Sequence, residues 1–171
     1  MSSVLKVDAI QNTAGTSALT IDSSGRMFTP ARPSFSATRT SALTVSSTNQ
    51  TLVFNNVTHN QGSHYDSSTG KFTAPVTGLY YFSAAASIVV GADNRYLVIT
   101  IQTSDSDYTG VLLAGRAHTN TTSGTTYGQS QCSGVVHLNA NDFVLCKVEV
   151  ENSSSLAVGD PACYFNGFLV G

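Results

Sequence analysis

From Ser34 to the C-terminus, apolar residues recur at a spacing of two and never at the spacing of a helix, which restricts this part of the chain to β structure. Tyr80, Phe82, Ala84, Ala86 and Ile88 fall on one face of a segment, and Tyr81, Ser83, Ala85 and Ser87 fall on the other. Both faces read as dry, so the segment predicts a long central strand. Leu97, Ile99 and Ile101 share one face of a second strand. Between Phe143 and Val150, Val144, Cys146, Val148 and Val150 face inward while Lys147 and Glu149 face out. The closing run from Tyr164 to Val170 reads as a buried final central strand. Asn141-Asp142 supplies a turn before the penultimate strand. Thr119–Ser130 reads as a mobile loop running into a strand. Many short strands between Gly-, Asn- and Ser-bearing turns predict a β-sandwich or jelly roll.

Composition agrees with that class and excludes several functions. Charged residues make up 11% of the 171, against about 25% in an ordinary domain. Ser, Thr, Asn and Gly take their place. The net charge is -2 and no basic run exists to displace counterions from a phosphate backbone, so nucleic acid is not an expected partner. No apolar run approaches the roughly 20 residues of a membrane span, so no membrane insertion is expected. A domain of this size buries roughly 70% of its unfolded surface and needs no staple. Cys132, Cys146 and Cys163 form an odd set without close pairs, which reads as reduced, buried thiols. A bridge between two of them stays open if oxidant is present.

The first 29 residues differ from the rest. Leu5-Lys6-Val7-Asp8-Ala9 alternates as a half-buried strand does, and Asn12 to Thr16 is turn-forming. Ala18 to Ile21 and Arg26 to Thr29 read as a hairpin about Asp22-Ser23-Ser24-Gly25, with Gly25 free to take positive φ. An isolated hairpin is marginal in water, so its apolar face requires cover from sister chains or a docking partner. Met1 to Asp8 lacks a basic region followed by an apolar stretch and is read as no secretory signal. Pro30-Ala31-Arg32-Pro33 forbids a helix across the junction. The expected organisation is an arm over 1–29, a linker over 30–33 and a jelly-roll domain over 34–171.

The most specific pattern lies between residues 54 and 82. Phe54, Asn60, Tyr65, Phe72, Gly78, Tyr80 and Phe82 are joined by Phe35-x-Ala37-x-Arg39 upstream and Phe165-x-Gly167-Phe168-Leu169 downstream. This spacing resembles the globular head domain of the complement C1q and tumour-necrosis-factor type, over about residues 33–171. One departure is Ala84, where that family usually has an aromatic. The resemblance implies a jelly-roll homotrimer about a three-fold axis, acting by binding and not as an enzyme. It implies ligands at apical loops or in grooves between subunits. The same segment suggests that Gly78, after Pro75, allows a sharp entry into the long strand.

Leu5, Val7 and Ile10, followed by Leu19 and Ile21 in Gly15-Thr16-Ser17-Ala18-Leu19-Thr20-Ile21-Asp22-x-x-Gly25, resemble the opening of bacteriophage tail-fibre and virion-decoration proteins, those of cyanobacterial phages in particular. That resemblance implies an anchoring or trimerising arm, other virion proteins of capsid or tail as partners, and a host-cell surface glycan or protein as ligand. The expected function is a virion structural protein, fibre knob or capsid decoration, located on the particle. The alternative is a secreted, extracellular C1q/TNF-like ligand or recognition module.

Other constellations carry less. His59, His64 and Asp66 sit in or beside the structural motif. Asp105 and Asp107, with Asp93 nearby in sequence, supply only the beginning of the six to eight oxygens calcium takes. No cofactor is expected, calcium there being the one exception the resemblance raises. His118 and His137 have no nucleophile motif beside them. Asn49, Asn56, Asn120 and Asn152 each open a glycosylation tripeptide, a frequent chance match in a chain of this composition. Tyr96, Tyr108 and Tyr127, with loop residues such as Asn120, offer aromatic faces and amides suited to sugar or protein contact.

Overall fold

Alternating side chains on extended backbone produce a molecule of strands. A computed structural model describes residues 3–41, 43–45, 49–90, 95–104, 111–119, 126–150, 154–156 and 163–171, and among them there is no helix. The chain divides into two compact units, Met1–Arg32 and Pro33–Gly171.

The first unit is an antiparallel sheet of β1 (Ala9–Gln11), β2 (Ser17–Ile21) and β3 (Met27–Phe28) in the order β1-β2-β3. Its turns are fixed by side chains. Asn12 Oδ1 accepts from the amides of Ala14 and Thr16, and Asp22 Oδ1 accepts from those of Ser24 and Arg26. Gly25 closes the second turn at φ 78°, a region that disfavours a side chain. No described residue of this unit is buried.

The expected strand over Leu5–Ala9 does not form: β1 starts at Ala9. The reason is a missing partner. Ile21 donates its amide to the Asp8 carbonyl, and at Asp22 the opposing chain enters its turn, so among the described residues no strand pairs with Leu5, which is 80% exposed.

The second unit is a sandwich in which every strand pair is antiparallel. Sheet one joins β4 (Ser34–Thr38), β5 (Thr44–Val45), β7 (Asn56–Gln61), β10 (Gly78–Val90), β13 (Thr126–Leu138), β15 (Ser154–Leu156) and β16 (Tyr164–Leu169). Across its width the order is β7-β4-β16-β10-β13, and β15 and β5 lie beside the far end of β10. Sheet two joins β6 (Gln50–Leu52), β8 (Tyr65–Asp66), β9 (Lys71–Thr73), β11 (Arg95–Thr103), β12 (Val111–Thr119) and β14 (Phe143–Val150). Its order is β8-β9-β14-β11-β12, with β6 pairing β14 beyond β9. From β9 onward the chain changes sheet at β10, β11, β13, β14 and β15. This is jelly-roll connectivity.

Between the sheets lies an aromatic core. Phe35 stacks on Tyr65 at 4.7 Å and on Phe72 at 5.1 Å, and meets Phe165 edge-on at 4.8 Å. Phe54, Phe72, Tyr80, Phe82 and Phe165 are fully buried. Ala84 is also fully buried in this core. Leu97, Ile99, Ile101, Val144, Cys146 and Val148 complete the core from sheet two, on the faces their alternation predicts.

Candidate functional site

The motif residues do structural work at the centre of the sandwich. Asn60 holds Tyr65 from both sides: its Nδ2 donates to the Tyr65 carbonyl at 2.8 Å and its Oδ1 accepts the Tyr65 amide at 3.1 Å. The Tyr65 hydroxyl in turn donates to the Phe54 carbonyl at 3.0 Å and accepts the Phe54 amide at 3.2 Å. Burial raises the Tyr65 phenol well above its ordinary range. The spacing of Phe54, Asn60 and Tyr65 is therefore one hydrogen-bonded unit. Gly167 lies so close to the core that a Cβ there would stand 2.5 Å from the Phe82 ring and 2.8 Å from that of Phe35.

Gly78 requires a correction. It is not among the residues with positive φ, so no sharp turn demands it. A Cβ at Gly78 would meet the Gly171 carbonyl and the Leu169 side chain at 3.0 Å, and the chain end approaching β10 is the reason for glycine.

The final strand also differs from expectation. It is buried on one face only. Phe165 and Gly167 point into the core, whereas Phe168 and Val170 are exposed on the opposite face. There Phe168 packs on Tyr81 with ring centroids 5.3 Å apart. The register sets Val135, Tyr81 and Phe168 side by side across β13, β10 and β16. Leu79 and Val170 lie next to them, the Val170 amide donating a hydrogen bond to the Leu79 carbonyl. This half of sheet one's outer face is apolar, with Val135 54% and Phe168 43% exposed. The half on β4 and β7 is polar, carrying Ser34, Ser36, Thr38 and His59. Sequence reasoning identified Phe168 but not Val135 or Leu79, whose only signal is to stand out of phase with the core.

Sheet two presents a different outer face. Tyr96 donates its hydroxyl to Glu149 Oε1 at 2.9 Å, and the Arg116 guanidinium lies 4.5 Å over its ring. Beside this cluster is a depression of about 390 Å³, bordered by Asn49, Thr100, Gln102, Lys147 and Glu149 over Val98 and Val111.

The remaining candidates separate. His59 shares a 2.8 Å hydrogen bond with Ser34, an exposed cross-strand pair. His64 packs edge-on to Phe72, and burial holds its pKa below the usual value. The Asp66 carboxylate accepts from the Ser68 amide and from the Ser68 and Thr69 hydroxyls, which lowers its pKa to about 2. Among the described residues, no group of three His, Cys, Asp or Glu side chains is placed to hold a metal. Asp105, Asp107, Tyr108 and Asn120 lie outside the described residues, and of Tyr127 only the β13 backbone is described. All three cysteines are buried and outside any disulfide, and burial pushes the Cys132 thiol up to about 11. In the first unit, Ile10 and Leu19 are cross-strand partners, Ile10 exposed and Leu19 and Ile21 half-buried.

These features define a class first: an antiparallel jelly-roll sandwich with an aromatic core and one apolar outer half-face. The model of the C1q domain matches residues 34–170, and the chain belongs to that family. The chain is similar to complement C1q tumor necrosis factor-related protein 5 of Rattus norvegicus, 41% identical over 59 residues, covering 34% of this chain and 24% of that protein. It is also similar to complement C1q tumor necrosis factor-related protein 7 of Mus musculus, 29% identical over 124 residues, covering 70% of this chain and 38% of that protein. The match thus spans well under half the length of these relatives. The globular domain of zebrafish complement 1qA protein shares the fold at a TM-score of 0.60 and 22% identity, covering 81% of this chain and 98% of that one. Residues 1–33, where the phage-like resemblance lies, fall outside the family match.

Proposed function

We propose that this chain is a non-enzymatic, extracellular recognition module that assembles as a homotrimer through the apolar half of sheet one's outer face. The observation that carries the reading is the row Val135, Tyr81 and Phe168, flanked by Leu79 and Val170, left in water by a single copy. Contiguous exposed apolar surface of this kind marks an association site. Membership of the C1q domain family supports three copies about an axis, and the C1q tumor necrosis factor-related relatives support a secreted ligand over a virion component.

Hydroxyl-radical footprinting of the full chain tests it. Phe168 and Leu79 are expected to be protected at micromolar concentration and to gain reactivity on dilution, with Tyr96 unchanged. Reactivity of Phe168 independent of concentration would refute the assembly.

A second reading, a knob carried on a phage particle, draws on the first unit. Its sheet has no buried described residue and exposes Met27, Phe28 and Ile10, so it suits docking to a larger structure. Mass spectrometry of the native product separates the two: glycan on Asn49 or Asn56 supports the secreted module, and bare asparagines behind an intact Met1 support the particle.

A further inference from the structure

Assembly through sheet one would leave sheet two facing solvent, and in the depression there Asn49, Gln102 and Glu149 are already held by hydrogen bonds. Its position follows from register. Thr100 pairs with Lys147 and Val98 with Glu149 across β11 and β14, while β6 brings Gln50 opposite Val148 and so delivers Asn49. Asn49 adopts φ 61°, an uncommon backbone conformation that asparagine tolerates better than most residues. Its Oδ1 accepts from Gln102 Nε2 at 2.8 Å, and the same nitrogen lies 3.4 Å from the Thr100 hydroxyl. Glu149 is fixed by the Tyr96 hydroxyl.

The electrostatics are asymmetric. The bordering carboxylate, Glu149, already accepts a hydrogen bond from Tyr96, which carries the Arg116 guanidinium on its ring. Lys147 makes no ion pair or hydrogen bond among the described residues. A free ammonium thus stands beside an amide pair and a hydroxyl, over the apolar surface of Val98 and Val111. The volume, about 390 Å³, is at the small end of the range for small-molecule sites.

We infer that this depression binds an acidic sugar unit: a carboxylate on Lys147, ring hydroxyls on Thr100, Gln102 and Glu149, and the C–H face of the ring on the valines. The inference deepens the recognition reading above and shares its premise of an uncovered sheet two. The site is nevertheless complete within one protomer. A single open site of this kind binds weakly, and three copies on one particle raise avidity toward a surface bearing many such sugars.

The test titrates the full-length chain with sodium glucuronate and, separately, with glucose, following backbone amides by NMR and particle mass by light scattering on the same samples. Glucuronate is expected to shift Thr100, Gln102, Lys147 and Glu149 and to bind about tenfold more tightly than glucose, consistent with one added charged hydrogen bond. Lys147→Gln is expected to reduce glucuronate to the level of glucose with mass unchanged, and added salt to weaken the wild-type response. Equal binding of the two sugars, no shift at these amides, or full glucuronate binding by Lys147→Gln would overturn the site. Glucuronate binding by a monomer would leave the site standing and remove the assembly reading instead.

Discussion

Sheet one turns Val135, Leu79, Tyr81, Phe168 and Val170 toward the outside, whereas sheet two turns Thr100, Gln102, Lys147, Glu149 and Arg116 there. Their inward faces are alike: each contributes fully buried apolar side chains to one core. The difference shows that stability requires only the inner faces, so the outer faces are free to differ, one apolar over half its width and the other polar.

Neighbouring residues on β16 provide the sharpest way to break this contrast. Gly167→Ala forces a methyl between Phe82 and Phe35 and is expected to destabilise the protomer by about 1–3 kcal/mol, read as a lower midpoint in urea. Phe168→Ser, one residue on, is expected to leave the protomer's circular dichroism unchanged. On the proposed assembly it is expected to weaken association by about 1–2 kcal/mol per protomer, seen as dissociation at higher concentration in sedimentation. If both variants fail in the same way, the division between inner and outer faces is wrong.

A smaller effect concerns the shared core and pH. The Cys132 thiol is raised to about 11 and that of Cys146 well above its ordinary value of 9.0, both by burial. The folded state keeps these thiols neutral while the unfolded chain ionises them above pH 9. Their contribution is therefore fully present below pH 9 and falls as pH rises toward 11 and beyond. Urea midpoints measured from pH 7 to 11 are expected to stay level to about pH 9 and then decline. A midpoint that does not change up to pH 11 would place these thiols in water.

Much of the sandwich could be read from the chain because Val, Ile and Leu alternate with polar residues in β11 and β14, leaving one choice of inward face. Where aromatic and aliphatic residues run together, as from Tyr164 to Val170, alternation gives no such choice, and the strand read as buried on both sides. Leu5–Ala9 had the right period and no partner strand to pair with, a fact that depends on where the second turn falls. Asn60 and Tyr65 were recognisable as a motif, although the amide clamp that explains them exists only in the folded chain. The depression on sheet two was not legible at all. Asn49, Thr100 and Lys147 come together only through the pairing of β14 with β11 and β6.

A homotrimer requires that copies cover each other's apolar half-face. Sedimentation equilibrium of the full chain, from nanomolar to micromolar concentration, measures this without labels or variants. The predicted result is a species of three times the 17.9 kDa chain mass that gives way to the single chain only at the lowest concentrations. A lone 17.9 kDa particle across the whole range would contradict it.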